Sequence, residues 1–168
     1  RTLPSYSDLA QGRVTVNDIR ELSISDILGR DTVAPDPALM RRDIANKIVM
    51  VTGAGGSIGS ELCRQIFIHN PKKLVLFDHS EYALYAILQE LQSRLTPETS
   101  AVELIAILGS VTDKPLVDRL FLTSAPDTVF HAAAYKHVPL VEDNLFEGIK
   151  NNLFGTLVPV SYTHLTLP

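Results

Sequence analysis

The sequence predicts an α/β protein: a partial doubly wound parallel sheet of strand order 3-2-1-4, preceded by an N-terminal linker arm. Three observations carry this. From residue 47 onward, short apolar runs alternate with helix-patterned segments. The runs are apolar throughout, as strands covered on both faces are. A glycine-rich octapeptide, Thr52-Gly-Ala-Gly-Gly-Ser-Ile-Gly59, joins the first run to the first helical segment. Right-handed crossovers then fix the strand order and put the ligand crevice at the carboxyl ends of the first and fourth strands.

Residues 1–46 hold Pro4, Pro35 and Pro37 and only short amphipathic pieces such as Ile24-Ser-Asp-Ile-Leu28, so they read as an arm or linker. Within them, Ala34-Pro-Asp-Pro37 reads as a stiff extended spacer, because each proline disfavours helix at the residue before it. The first strand covers about 47–52. The first helix, about 57–69, sets Ile58, Leu62 and Ile66 on one stripe and stops before Pro71. A second strand follows at about 73–78. The second helix, about 81–95, repeats Leu84, Ile87, Leu88, Leu91 and Leu95 at helical spacing, a core-packing stripe. The third strand is at about 102–108.

Thr112 can cap the third helix, with Pro115 in its first turn and Leu116, Val117, Leu120 and Phe121 facing inward. The fourth strand is at about 127–132. Asn144 and Glu147 make a box-like start for a fourth helix that carries Leu145, Ile149 and Leu153. Residues 47–157 thus form the N-terminal half of a dinucleotide-binding domain. The tail, 158–168, is flanked by Pro159 and Pro168, shows little helical character and supplies no fifth strand. It reads as foreign to the domain, with the break near Leu157 or Val158.

Composition narrows the classes. At 168 residues, 45% hydrophobic and 20% charged, the chain can bury one respectable core. A net charge of −4 without a basic run argues against nucleic acid or an anionic membrane as partner. A lone cysteine, Cys63, excludes a disulfide framework and points to a reducing, cytoplasmic compartment; on the first helix it reads as a small buried hydrophobe. No apolar stretch reaches the roughly 20 residues that span a bilayer.

The octapeptide carries the chemistry. Gly53, Gly56 and Gly59 sit on a strand-to-helix turn, where backbone can approach a pyrophosphate and meet its charge with free N–H groups and the helix dipole. Asp78 ends the second strand nineteen residues after Gly59. A carboxylate there can accept both ribose hydroxyls of an adenosine and repel a 2′-phosphate. Strand, turn, helix, strand and Asp in that order weigh far more than the glycines alone. A nucleotide-triphosphate loop would need Gly-Lys-Ser/Thr, but Gly59 is followed by Ser60-Glu61. A methyl-donor site shares the glycine-rich turn and the acidic residue, and is the alternative for the turn alone.

The fourth strand ends in His131-Ala-Ala-Ala134, a small-residue turn across the crevice from the glycines, followed by Tyr135 and Lys136. Lys136 can meet a phosphate or a sugar hydroxyl, or be an ordinary solvated lysine. His131 and His137 lack a third partner, so no metal site is expected. His131 reads as a hydrogen-bonded core histidine, and Asn152 as a polar hinge between backbone and an active-site water.

Thr52-Gly-Ala-Gly-Gly-Ser-Ile-Gly59 resembles the cofactor motif of extended short-chain dehydrogenases/reductases, a Rossmann-like family, and Asn152-Leu-Phe-Gly-Thr156 resembles their Asn-Val-x-Gly-Thr helix motif. Leu76-Phe-Asp-His-Ser-Glu81, Leu108-Gly-Ser-Val-Thr-Asp113 and His131-Ala-Ala-Ala-Tyr-Lys-His-Val-Pro-Leu-Val-Glu142 are similar to one branch. That branch is the nucleotide-sugar 4,6-dehydratases of capsular polysaccharide and flagellin glycosylation. Leu3-Pro-Ser-Tyr-Ser-Asp-Leu9 and Asp26-Ile-Leu-Gly-Arg30 resemble the segment that joins the soluble domain to membrane helices in longer members.

The resemblance implies a parent enzyme acting on a UDP-N-acetylhexosamine with NAD, or alternatively NADP. Hydride leaves C4, the ketone acidifies the C5 proton, water leaves from C6 and hydride returns there, giving a 4-keto-6-deoxy sugar. It implies that Gly53, Gly56, Ser57, Ile58, Gly59 and Asp78 hold the dinucleotide, that Ser110 and Val111 lie by the adenine, and that Ala132, Ala133 and Lys136 border the nicotinamide ribose and sugar. Ser110 stands where many members carry an adenine-contacting Asp. Lys136 and Asn152 are candidate catalytic contributors; the family's catalytic lysine and sugar-binding subdomain fall after the resembling stretch, so this stretch alone is expected to be inactive. A homo-oligomer held at the cytoplasmic face of the inner membrane is also implied. A nucleotide-sugar 4-epimerase and a non-catalytic dinucleotide-binding module are the alternatives.

Overall fold

The computed structural model describes residues 36–96 and 101–165; the amphipathic piece at 24–28 and the prolines at 4 and 35 lie outside them. Pro37 opens a helix instead of extending a spacer: α1 (Pro37–Ile44) buries Ile44 in the core, and Thr128 donates its hydroxyl proton to the Asp43 carbonyl at 2.8 Å. Proline is tolerated in a first helical turn, where its missing N–H would have no partner. The compact unit therefore begins at Pro37, inside the stretch expected to be arm.

Four strands, β1 (Ile48–Thr52), β2 (Lys73–Asp78), β3 (Glu103–Leu108) and β4 (Thr128–His131), pair in parallel in the order β3-β2-β1-β4. This is the expected Rossmann-like order. Side chains alternate between two buried faces. Val49, Val51, Leu74 and Leu76 pack with Cys63, Ile66 and Phe67 of α2 (Ser57–Phe67) and Leu84, Ile87 and Leu91 of α3 (Glu81–Ser93). Met50, Val75 and Phe77 pack on the other face with Val117, Leu120 and Phe121 of α4 (Lys114–Ser124). Each large side chain removed from water contributes about 1.5–3 kcal/mol, which is why the interiors of β1 and β2, residues 48–51 and 74–77, are apolar.

Three helix details differ from expectation. Ile58 is 64% exposed, so the buried stripe of α2 runs through Cys63, Ile66 and Phe67. Leu95 lies past the end of α3 and is exposed. Asp113, not Thr112, caps α4, its carboxylate accepting the Leu116 N–H at 3.1 Å. Thr112 instead bonds Ser110, so its hydroxyl serves the preceding loop.

The fourth helix is broken into pieces: α5 (Val138–Asp143), α6 (Leu145–Ile149), a π-helical turn (Lys150–Phe154) and α7 (Gly155–Leu165). Asn144 makes no cap; its amide donates back to the Leu140 carbonyl. Leu145, Ile149 and Leu153 are exposed rather than core-facing, beside a 90% exposed Phe146. The tail expected to lack helix forms most of α7, despite Pro159 within it. Burial overrides the proline: Val158 and Tyr162 pack on the α4 face, and Tyr162 stacks on Phe121 with ring centroids 4.6 Å apart.

Among the described residues no helix is long and apolar enough to cross a membrane. Cys63 is buried as expected, and desolvation pushes its thiol up to about 12. We expect it to resist a disulfide reagent at neutral pH in the native chain and to react at the rate of global unfolding; rapid stoichiometric labelling without denaturant would contradict this packing.

Candidate functional site

The site grows from the carboxyl ends of β1 and β4. Gly53 leaves β1 with φ +67°, a left-handed conformation that side chains resist, and a Cβ there would lie 2.7 Å from the Ala132 carbonyl. A Cβ on Gly59 would meet the Gly53 oxygen at 1.9 Å, so the start of α2 rests directly on the turn. Gly55, passed over in the sequence, is equally constrained: its Cβ would overlap that of Ala83 on α3 at 2.5 Å.

Gly56 differs. A Cβ there would meet only the Gly53 oxygen, at a tight 3.3 Å, so packing constrains Gly56 less than Gly53, Gly55 or Gly59. It lies at the start of α2, where no side chain caps the helix and no acidic residue occupies the first turn. The first N–H groups of a helix have no intrahelical partner, and this end also carries the positive pole of the helix dipole.

Asp78, at the end of β2, is only 6% exposed. Its two oxygens each accept a backbone N–H at 2.8 Å, one from Gly55 and one from Ser80. The carboxylate therefore ties the glycine turn to β2 and to the start of α3, whose own cap is the Ser80 hydroxyl. Each oxygen retains lone-pair capacity, since a carboxylate accepts about four hydrogen bonds.

Two cavities meet here. One, about 200 Å³, gathers Gly53, Gly56, Asp78, Ser110, Val111, Ala132 and Ala133. The other, about 760 Å³, gathers Gly56, Ser57, Ile58, Gly59, Ala132 and Lys136. Gly56, Ala132, Ala134 and Tyr135 belong to both walls. Every cofactor-site residue expected from sequence thus lines one cavity or the other. Lys136 donates to the Ser57 hydroxyl at 3.3 Å, spanning the gap between loop and helix.

Asn152 lines neither cavity. It grips the Tyr135 backbone twice, accepting its N–H at 2.8 Å and donating to its carbonyl at 2.9 Å. Asn151 donates to the Ala133 carbonyl at 3.3 Å. Both asparagines lie in the π-helical turn, whose extra residue lets neighbouring side chains reach the same loop. Tyr135, Asn151 and Gly55 are the residues sequence reasoning missed; the paired Gly55-Gly56 and Asn151-Asn152 were the available signals.

His131 is hydrogen-bonded through both nitrogens, as expected of a core histidine: Nδ1 lies 2.7 Å from the Thr52 hydroxyl and Nε2 lies 3.1 Å from that of Thr156. No group of three or more His, Cys, Asp or Glu among the described residues could hold a metal ion.

A doubly wound sheet with a glycine turn on β1, a buried Asp ending β2 and an Asn clamp on the β4 loop is the arrangement of a Rossmann-like dinucleotide fold. The chain belongs to the polysaccharide biosynthesis protein family, whose model matches residues 49–164 and so runs past 157. It is 41% identical over 154 residues to the capsular polysaccharide biosynthesis protein CapD of Staphylococcus aureus, covering 92% of this chain and 25% of that protein. It is 33% identical over 113 residues to the Arabidopsis thaliana trifunctional UDP-glucose 4,6-dehydratase/UDP-4-keto-6-deoxy-D-glucose 3,5-epimerase/UDP-4-keto-L-rhamnose-reductase RHM2, covering 67% of this chain and 16% of that one. The chain therefore spans about a quarter or less of the length of these relatives. Among solved structures it is similar to the Bordetella bronchiseptica enzyme WbmH in complex with NAD+, with TM-score 0.53 and 27% identity over 68% of this chain and 34% of that one.

Burial lowers the His131 pKa below its ordinary 6.5. The fold favours the neutral ring, so its stability is complete above about pH 6.5 and declines as pH falls through that value, where the unfolded chain gains the proton first. Thermal midpoints of the native chain and of His131→Phe, measured between about pH 7.5 and 5, should converge on acidification, the native chain losing more. A constant gap between them would show that the ring is not held neutral.

Proposed function

We propose that this chain is the NAD(P)-binding portion of a nucleotide-sugar 4,6-dehydratase that converts a UDP-N-acetylhexosamine to a 4-keto-6-deoxy sugar for surface polysaccharide or glycan synthesis. The observation that carries the reading is Gly56: the turn glycine that packing constrains least, at an uncapped helix start, on the wall common to both cavities. A small uncharged gap beside free N–H groups is what a pyrophosphate needs. Family membership and the dehydratase activity named for the Arabidopsis relative support the reaction class; the NAD+ in WbmH supports the cofactor.

In this reading the free lone pairs of Asp78 take the adenosine ribose hydroxyls, Ser110 and Val111 flank the adenine, and the start of α2, with Ser57 and Ile58, takes the pyrophosphate. Ala132 and Ala133 leave room for the nicotinamide ribose, and Lys136 moves from Ser57 to a phosphate or sugar hydroxyl. A bound nicotinamide supplies hydride acceptance at C4 and its return at C6. Asn152 fixes the loop that carries Lys136. The resemblance puts the group that removes the C5 proton after this stretch. The complete protein would work as a homo-oligomer at the cytoplasmic face of the inner membrane.

Two measurements test this. Calorimetric titration should give tighter binding of NAD than of NADP, because the Asp78 charge opposes a 2′-phosphate, and Gly56→Val should abolish binding of both. Equal or reversed affinities would mean that Asp78 points away from the ribose, and an unaffected Gly56→Val would sink the glycine-turn assignment. Separately, the chain incubated with UDP-N-acetylglucosamine and NAD should form no 4-keto product. Turnover would assign acid–base chemistry to Lys136, His131 or Asn152.

A further inference from the structure

Resting on that reading, we propose that His131 is a positioning residue: its neutral Nε2–H tautomer locks the loop at 132–136, the wall shared by both cavities, to β1 and to the helix carrying Asn152.

The protons can be counted. Thr156 donates its hydroxyl proton to the Asn152 carbonyl at 2.8 Å, an acceptor that can only accept. The Thr156 oxygen must then receive a proton from His131 Nε2 across 3.1 Å. That leaves Nδ1 bare, to accept the Thr52 hydroxyl proton across 2.7 Å. One relay of donors runs from Thr52 through His131 and Thr156 to the backbone of the π-helical turn, with a single consistent tautomer.

Each end of the relay is fixed. Thr52 is the β1 register partner of His131, is 1% exposed and is followed directly by Gly53. Asn152, whose carbonyl ends the relay, holds the Tyr135 backbone through both polar groups of its side chain. The loop is thus anchored at the residue that precedes it by the histidine bridge and at Tyr135 by the asparagine clamp. The titratable groups that share the ring's cavity are Tyr135 and Lys136 of the loop, His137 just after it and Glu147 of α6, and neither bond of the ring goes to any of them. Among the described residues, both ring nitrogens are engaged by hydroxyls.

The test uses the full chain in two arms. Without ligand, nitrogen NMR of the ring at neutral pH should report a protonated Nε2 and a bare Nδ1, and Thr156→Val should speed hydrogen exchange at the Tyr135 amide by about tenfold, the worth of one neutral hydrogen bond. Thr156→Ser, which keeps the hydroxyl, should restore native exchange. A protonated Nδ1, or Tyr135 exchange unchanged in Thr156→Val, overturns the relay. With ligand, Thr156→Val and His131→Phe should each weaken dinucleotide binding about tenfold at a temperature where both are folded, and the double variant should bind no worse than either. Additive losses would show independent packing effects and overturn the positioning role. Absence of dinucleotide binding by the native chain would overturn the functional reading, while the first arm still decides the relay.

Discussion

Everything at the site depends on how closely α2 approaches the end of β1. With no room for a Cβ at Gly59 against the Gly53 oxygen, the helix start sits on the turn and aims its free N–H groups over the strand ends. Such an approach needs external bracing, because a glycine turn has no side chains of its own to hold it. Asp78 supplies it from β2 through the Gly55 N–H. Gly53 is pressed from the other side by Ala132 at the end of β4. The turn is therefore defined by its neighbours on both flanking strands, which keeps its backbone groups available to a ligand.

The sheet and its order were legible in the sequence because β1 and β2 are central strands whose interiors, residues 48–51 and 74–77, are apolar on both faces. The glycine turn was legible for the same physical reason that it works. Legibility fell at helix ends. Thr112 and Asp113 are both good caps, and the choice between them turned on Ser110, which engages the threonine. Ile58 obeyed helical spacing but lies in the first turn of α2, beyond the reach of the core and beside the open cavity.

The segment after β4 was the least legible. Its apolar residues recur at helical spacing, yet Leu145, Ile149 and Leu153 face outward, and the helix widens at 150–154 so that two asparagines can turn to one loop. Hydrogen bonds to a distant backbone, invisible to local propensity, decided that geometry. The tail was misread for a related reason. Pro159 argues against a helix locally, while the Phe121–Tyr162 stack and Val158 reward one. Asn152 was legible as a side chain that holds backbone, but its partner, the Tyr135 backbone that takes both its polar groups, could be found only in three dimensions.

The placement of β4 beside β1 also dictates an order of birth. Thr52 and His131 are separated by 79 positions, so a chain made from its N-terminus exposes the glycine turn long before the strand that completes it. In that interval β1 can pair with β2, and β2 with β3, through short crossovers. Closing the larger loop costs more chain entropy and comes late. A nascent chain therefore carries the glycine turn with one wall missing until β4 docks beside β1.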